Sequence, residues 1–117
     1  MPRSKAVDEL AYMMNVLSHP DRIRLVEELR AGEKDVNQLA ERLELAQARV
    51  SQHLALLRQS HIVVKRKEGR RAFYSLSEPK IAGWITNGLD FIEAELRRVD
   101  SVHDEVEELR ERWGRYG

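Results

Sequence analysis

Gln47-Ala48-Arg49-Val50-Ser51-Gln52-His53-Leu54-Ala55-Leu56-Leu57-Arg58 is the stretch on which the reading of this chain turns. Val50, Leu54 and Leu57 recur at helical spacing and mark an inward stripe, whereas Gln47, Arg49, Ser51, Gln52 and Arg58 fall largely on other faces. The outer surface of this helix is polar and almost free of acids. Directly after it the period changes from 3.6 to 2. Ile62-Val63-Val64-Lys65-Arg66-Lys67, a Glu68-Gly69 turn and Arg70-Arg71-Ala72-Phe73-Tyr74-Ser75-Leu76 predict a two-stranded hairpin with basic residues crowding its tip.

Working toward the N-terminus, Asp35 with Gln38 three residues later is a capping signal that opens a short helix through Leu39, Ala40 and Leu43. Before it, Ile23, Leu25, Val26 and Leu29 predict a helix that Gly32 ends. Its start is expected at Ser18-His19-Pro20-Asp21, with the Ser18 hydroxyl as cap, Asp21 returning the bond and Pro20 in the first turn. Val7, Leu10, Ala11, Met14 and Leu17 stripe a first helix. Toward the C-terminus, Ser77 and Pro79 reopen a helix that runs to about Trp113, far longer than the others.

Charge separates these regions. Residues 1–45 hold 7 basic and 9 acidic side chains, residues 46–77 hold 7 basic and 1 acidic, and residues 78–117 hold 6 basic and 10 acidic. The net values, −2, +6 and −4, cancel to the formal zero of the whole chain. A block of +6 between acidic flanks is a local field suited to a polyanion. The chain has 117 residues and no cysteine, which leaves no disulfide scaffold, thiolate metal site, cysteine nucleophile or thiol redox sensor. That length predicts one domain over 1–117, extended by a C-terminal helix over about 78–114. No run of 18 apolar residues occurs and the N-terminus lacks the apolar stretch of a secretory signal, so a cytoplasmic protein without membrane contact is expected.

A short helix, a tight turn, a second helix with an acid-free face and a basic hairpin are what a winged helix-turn-helix requires. The helix enters the major groove, about 12 Å wide, while the wing's cations lie on phosphates. Here the sequence resembles the bacterial ArsR/SmtB repressors. Leu17-Ser18-His19-Pro20-Asp21-Arg22-Ile23-Arg24-Leu25 is similar to the family's entry to helix two, and Gln47 to Leu57 to its recognition helix. Glu68-Gly69-Arg70-Arg71 with Tyr74-Ser75-Leu76 is similar to its wing. The likeness spans roughly residues 7–95.

The resemblance implies a mainly α fold with a small β-hairpin wing, double-stranded DNA as partner, and a homodimer through the first and the long last helices. It implies that Gln47, Arg49, Ser51, Gln52 and His53 reach base edges or nearby phosphates, and that Arg66, Lys67, Arg70 and Arg71 hold the backbone. Gln52 can pair bidentately with adenine and Arg49 with guanine. His53, beside the inward Leu54, suits packing or capping as well as it suits reading. Two positions depart from the family. His61 stands where glycine is usual after the recognition helix, and Ala46 where a capping side chain is common.

The last helix carries a heptad seam, Ile85, Leu89, Ile92, Leu96 and Val99, continued by His103, Val106, Arg110 and Trp113 at alternating spacings of 4 and 3. That seam predicts a dimer interface, with Trp84 and Trp113 as interface or core aromatics. The metal ligands the resemblance would imply are missing: residues 35–40 offer no thiol, and residues 80–93 no histidine. Asp100, His103 and Glu107 share one helical face and are the alternative for a metal-responsive repressor with a non-standard site. No cofactor is expected. An enzyme is disfavoured, since Ser51 and His53 point to different faces and no phosphate loop or nucleophile elbow occurs. The rival is a winged helix that binds protein and no DNA, which predicts acids mixed through the outer face. Control is expected from an unknown small molecule or protein, or from synthesis level alone.

Overall fold

A computed structural model describes residues 4–114. In chain order it contains helices α1 (Lys5–Val16) and α2 (Pro20–Arg30), strand β1 (Lys34–Asp35), helices α3 (Val36–Leu43) and α4 (Gln47–Gln59), strands β2 (Val63–Glu68) and β3 (Arg71–Leu76), and helix α5 (Lys80–Gly114). By its contacts the chain divides into one unit up to Gly83 and a second from Trp84, which is the remainder of α5.

The core of the first unit is aliphatic. Leu25, Val26 and Leu29 of α2, Leu39, Ala40 and Leu43 of α3, and Val50, Leu54 and Leu57 of α4 are all buried, with Val16, Ile62, Val63 and Ala82 closing the edges. Each fully buried leucine contributes roughly 1.5–3 kcal/mol through apolar area removed from water. The expected stripe of α1 behaves differently. Val7, Leu10 and Met14 are exposed although the helix is well formed, and Val16 alone among its residues is buried.

Capping follows local chemistry, with one correction. Asp35 closes a full capping box, its carboxylate accepting from the Gln38 amide while Gln38 Oε1 accepts from the Asp35 N–H. At α2 the cap is His19 and not Ser18. The His19 ring Nδ1 accepts the Asp21 N–H at 3.1 Å, and the Ser18 hydroxyl instead turns back to the Asn15 carbonyl. Pro20 accounts for the shift, because proline in the first helical position makes its immediate predecessor the cap.

The two ends of the helix-turn-helix corner share one device. Beyond α3, the Leu45 N–H reaches the Ala40 carbonyl and the Glu44 N–H that of Glu41, with Glu44 at φ 56°. Beyond α4, Ile62 reaches Leu57 and His61 reaches Arg58, with His61 at φ 65°. Both are Schellman closures in which a non-glycine residue takes the left-handed position.

The sheet is three-stranded and antiparallel, in order β1-β3-β2. β1 is an addition to the expected hairpin: Lys34 and Asp35 pair with Tyr74 and Phe73. Glu68 pairs with Arg71, so the turn is Gly69-Arg70, one residue later than Glu68-Gly69. A two-residue hairpin loop needs positive φ at its first central position, and Gly69 supplies it at φ 61°.

Candidate nucleic-acid interface

Helix α4 presents two unlike faces. Val50, Leu54 and Leu57 are wholly buried, and Gln47, Arg49, Ser51 and Gln52 are exposed together on the outer side. Among the described residues none of these four side chains is engaged in a hydrogen bond or an ion pair, so their donors and acceptors face solvent. Ala46 gives no side-chain cap, and α4 begins with the Arg49 and Val50 amides on the Ala46 carbonyl.

His53 does not join that group. It lies three residues after Val50 and four before Leu57, on the flank of the buried stripe, and its side chain is 11% exposed. Its ring sits 4.6 Å from that of His19, with Nε2 3.7 Å from Asp21 Oδ2 and Nδ1 3.5 Å from Arg22 Nη1. Burial first, then the positive field of His19, Arg22 and Arg49, hold its pKa below the ordinary histidine value, against an opposing pull from Asp21.

His19, Asp21 and His53 bring three ligand-type atoms within 4.8 Å of one another, a grouping the sequence reading missed. The bonds around the rings nevertheless suit protons better than a metal. His19 Nδ1 already accepts a backbone N–H, and His53 Nδ1 faces a guanidinium, which can only donate. A neutral ring bonded in this way carries its hydrogen on Nε2, so neither imidazole turns a free lone pair toward Asp21. Asp100, His103 and Glu107 are exposed on α5 and form no ligand grouping among the described residues.

On the wing, the register places Asp35, Phe73 and Arg66 side by side, with Arg71 and Glu68 paired further toward the tip. Arg66 and Arg71 flank the Phe73 ring at 4.9 and 4.8 Å. Both are also engaged by carboxylates: Arg66 by Glu33 at 2.6 Å and Glu68 at 2.8 Å, Arg71 by the buried Asp35 at 2.5 Å. Their hydrogen bonds hold the Glu33 and Asp35 carboxyls below the usual carboxylate range and raise the Arg66 pKa. Lys67 and Arg70 have no ion pair among the described residues. Of the four wing cations expected to hold the DNA backbone, two are thus tied to the protein and two, toward the tip, have no ion pair among the described residues.

On the tail, Leu89, Ile92, Leu96 and Val99 are exposed and Ile85 is half-buried. Val102 and Leu109 are exposed apolar residues that the heptad reading passed over in favour of His103 and Arg110.

A two-turn helix, a left-handed corner, a helix buried on one side and bare on the other, and a cationic hairpin together define a winged helix-turn-helix. The sequence profile of bacterial regulatory proteins of the arsR family matches residues 19–65. The biofilm growth-associated repressor of Agrobacterium fabrum is 38% identical over 81 residues, 69% of either chain. The crystal structure of the transcriptional repressor BigR from Xylella fastidiosa is 39% identical, with a TM-score of 0.66 over 75% of this chain and 89% of that one. HlyU from Vibrio cholerae is 32% identical at a TM-score of 0.66, over 72% and 91%. The chain belongs to the ArsR family of bacterial regulatory proteins. Among the described residues no helix is long and apolar enough to cross a membrane.

Proposed function

We propose that this protein is a dimeric, sequence-specific regulator of transcription that binds double-stranded DNA through α4 and the wing, and that it acts as a repressor. The observation that carries the reading is the outer face of α4: Gln47, Arg49, Ser51 and Gln52 stand free, with no acid among them, on a helix anchored from behind by three buried aliphatics. A free amide and a free guanidinium are what base edges require, and Lys67 and Arg70 add phosphate contacts that carry no sequence information. Acids mixed through this face would favour a protein-binding module, and none occur there. Repression follows the relatives named as repressors; HlyU of Vibrio cholerae is named a transcriptional activator, so the direction of control is part of the proposal.

The dimer rests on two apolar surfaces that one chain leaves bare, the α1 stripe of Val7, Leu10 and Met14 and the α5 seam of Leu89, Ile92, Leu96 and Val99. Solvent-facing stripes of that length are costly unless a second copy covers them. A two-fold dimer presents its recognition helices about one helical turn, roughly 34 Å, apart and reads an imperfect palindrome. Control by metal or thiol oxidation is not part of this reading: the chain has no cysteine, His19 Nδ1 accepts a backbone N–H, and His53 Nδ1 faces the Arg22 guanidinium.

Binding-site selection from random duplexes tests the proposal. A symmetric pair of half-sites bound by a dimer in sedimentation is expected. A single asymmetric half-site bound by monomer, or no enrichment at all, would overturn it.

A further inference from the structure

Helix α4 is held from behind by Val50, Leu54 and Leu57, and by one polar side chain. Aliphatic packing fixes how deep a helix sits, but it is non-directional and leaves rotation about the helix axis weakly determined. Hydrogen-bonding groups are directional. His53 is the inward polar side chain of this helix, and it meets a prepared surface. Arg22 donates through Nε to the carbonyl of Val16, the last residue of α1, and brings Nη1 to His53 Nδ1 at 3.5 Å. Asp21 faces His53 Nε2 at 3.7 Å while its other oxygen meets Arg24 at 3.4 Å, and the cap His19 lies against the ring. One guanidinium thereby links the end of α1 to the recognition helix.

We propose that His53 is a positioning residue for DNA binding: as a neutral ring it fixes the rotation of α4 against the N-terminus of α2, and a proton on Nδ1 releases it. The inference rests on the DNA-binding reading above. The neutral ring accepts at Nδ1 from Arg22 and turns its Nε2 hydrogen toward Asp21. The protonated ring carries a hydrogen at both nitrogens and sets one of them against the Arg22 guanidinium. Every titratable or charged group facing the ring enters the balance. Arg22 of α2 and the cap of that helix, His19, oppose the proton while Asp21 favours it; from α4 itself, Arg49 opposes it.

The sign follows. A released His53, open to solvent, has the ordinary value of about 6.5, and the seated one lies lower. The seat is therefore fully present above about 6.5, weakens below that value, and is lost as pH falls through the lowered one. The functional consequence is geometric. Side-chain tips stand about 5–6 Å from a helix axis, so a rotation of about 20° moves them by about 2 Å, enough to break a hydrogen bond to a base edge.

The test has two arms. In the whole protein, long-range ¹H–¹⁵N correlation spectra read the tautomer and titration of each histidine. His53 is expected as the Nε2–H tautomer, titrating below the ordinary histidine value of about 6.5, and Arg22→Ala should raise its midpoint. A His53 that titrates at or above the ordinary value would overturn the proposal. The second arm compares the selected duplex with a random duplex at pH 7.5 and 5.5. The cognate-to-random affinity ratio is expected to fall about tenfold on acidification. His53→Ala should show the low ratio already at pH 7.5, and His53→Gln, which can accept from Arg22 and donate to Asp21, should restore most of it and remove the pH dependence.

A ratio that is independent of pH and unchanged in His53→Ala, with cognate binding intact, would sink the positioning role and leave the DNA-binding reading standing. No preference for any duplex at either pH would sink both. Micromolar zinc that changes the ratio in the wild type and not in His53→Gln would show that Nε2 offers a lone pair, which overturns the tautomer on which the proposal stands.

Discussion

The recognition helix and the wing both carry net positive charge when the chain is counted, yet the structure uses their cations in opposite ways. Arg49 on α4 stands free beside Gln47 and Gln52. Arg66 and Arg71 on the wing are held by Glu33, Glu68 and Asp35 and stacked on Phe73, whereas Lys67 and Arg70 nearer the tip have no ion pair among the described residues. The difference teaches that a basic cluster is an inventory of charge and not of contacts. Cations tied into a sheet give it shape; those left free are available to a partner.

The largest effects should lie across the two faces of α4. Leu54→Ala is expected to cost about 2–5 kcal/mol in urea unfolding, because the site is sealed and a cavity remains, whereas Gln52→Ala should stay within about 0.5 kcal/mol. On the selected duplex the order reverses in meaning. Gln52→Ala or Arg49→Ala should cost about 1–3 kcal/mol on cognate DNA and far less on random DNA. Equal losses on both would place the reading face elsewhere.

The wing supplies the next comparison. Arg70→Ala should weaken cognate and random DNA about equally and flatten the salt dependence by about one unit. Arg71→Ala should instead lower stability by about 1 kcal/mol, because it removes the partner of a buried carboxylate. That loss has a pH signature. Asp35 has a lowered pKa in the folded protein, so its pairing stabilises fully above the ordinary carboxylate value near 4 and is lost as pH falls through the lowered one. The stability gap between wild type and Arg71→Ala should accordingly close in acid. A gap that stays constant while the Asp35 carboxyl is followed through its protonation would mean that Phe73 stacking, and not Asp35, holds Arg71.

The smallest effect concerns the exit from α4. At φ 65°, His61→Gly should gain about 0.5–1 kcal/mol in the same unfolding assay, since glycine adopts this conformation without the Cβ penalty. A net loss would show that the imidazole makes up for its strained backbone.

Local signals in the sequence were enough for much of this. The inward stripe of α4 and the Asp35 capping box each depend on residues within a few positions of one another, and the place of His61 is marked by the glycine usual there in the resembled family. What escaped depends on distance or on competition. β1 has two residues, too few to show a period, and exists because Tyr74 and Phe73 offer it partners. The pairs Arg66–Glu33 and Arg71–Asp35 span 33 and 36 positions and are set by sheet register. Ser18 competed with His19 for the cap, and Pro20 decided it. For His53 the sequence leaves packing and reading both open: its spacing from Val50 and Leu57 places it on the flank of the inward stripe, while its resemblance is to a base-reading position.

Helix α4 starts on the Ala46 carbonyl without a side-chain cap and ends in a main-chain closure at His61, and among the described residues the side chains of Gln47, Arg49, Ser51 and Gln52 make no hydrogen bond or ion pair. Identity at positions 47, 49, 51 and 52 is thus uncoupled from whether the helix forms. Mutations there can be sampled by a lineage with little risk to folding. A duplicated copy of the gene could drift to a new operator within a few substitutions, while the frame that presents the helix stays under selection of a different kind.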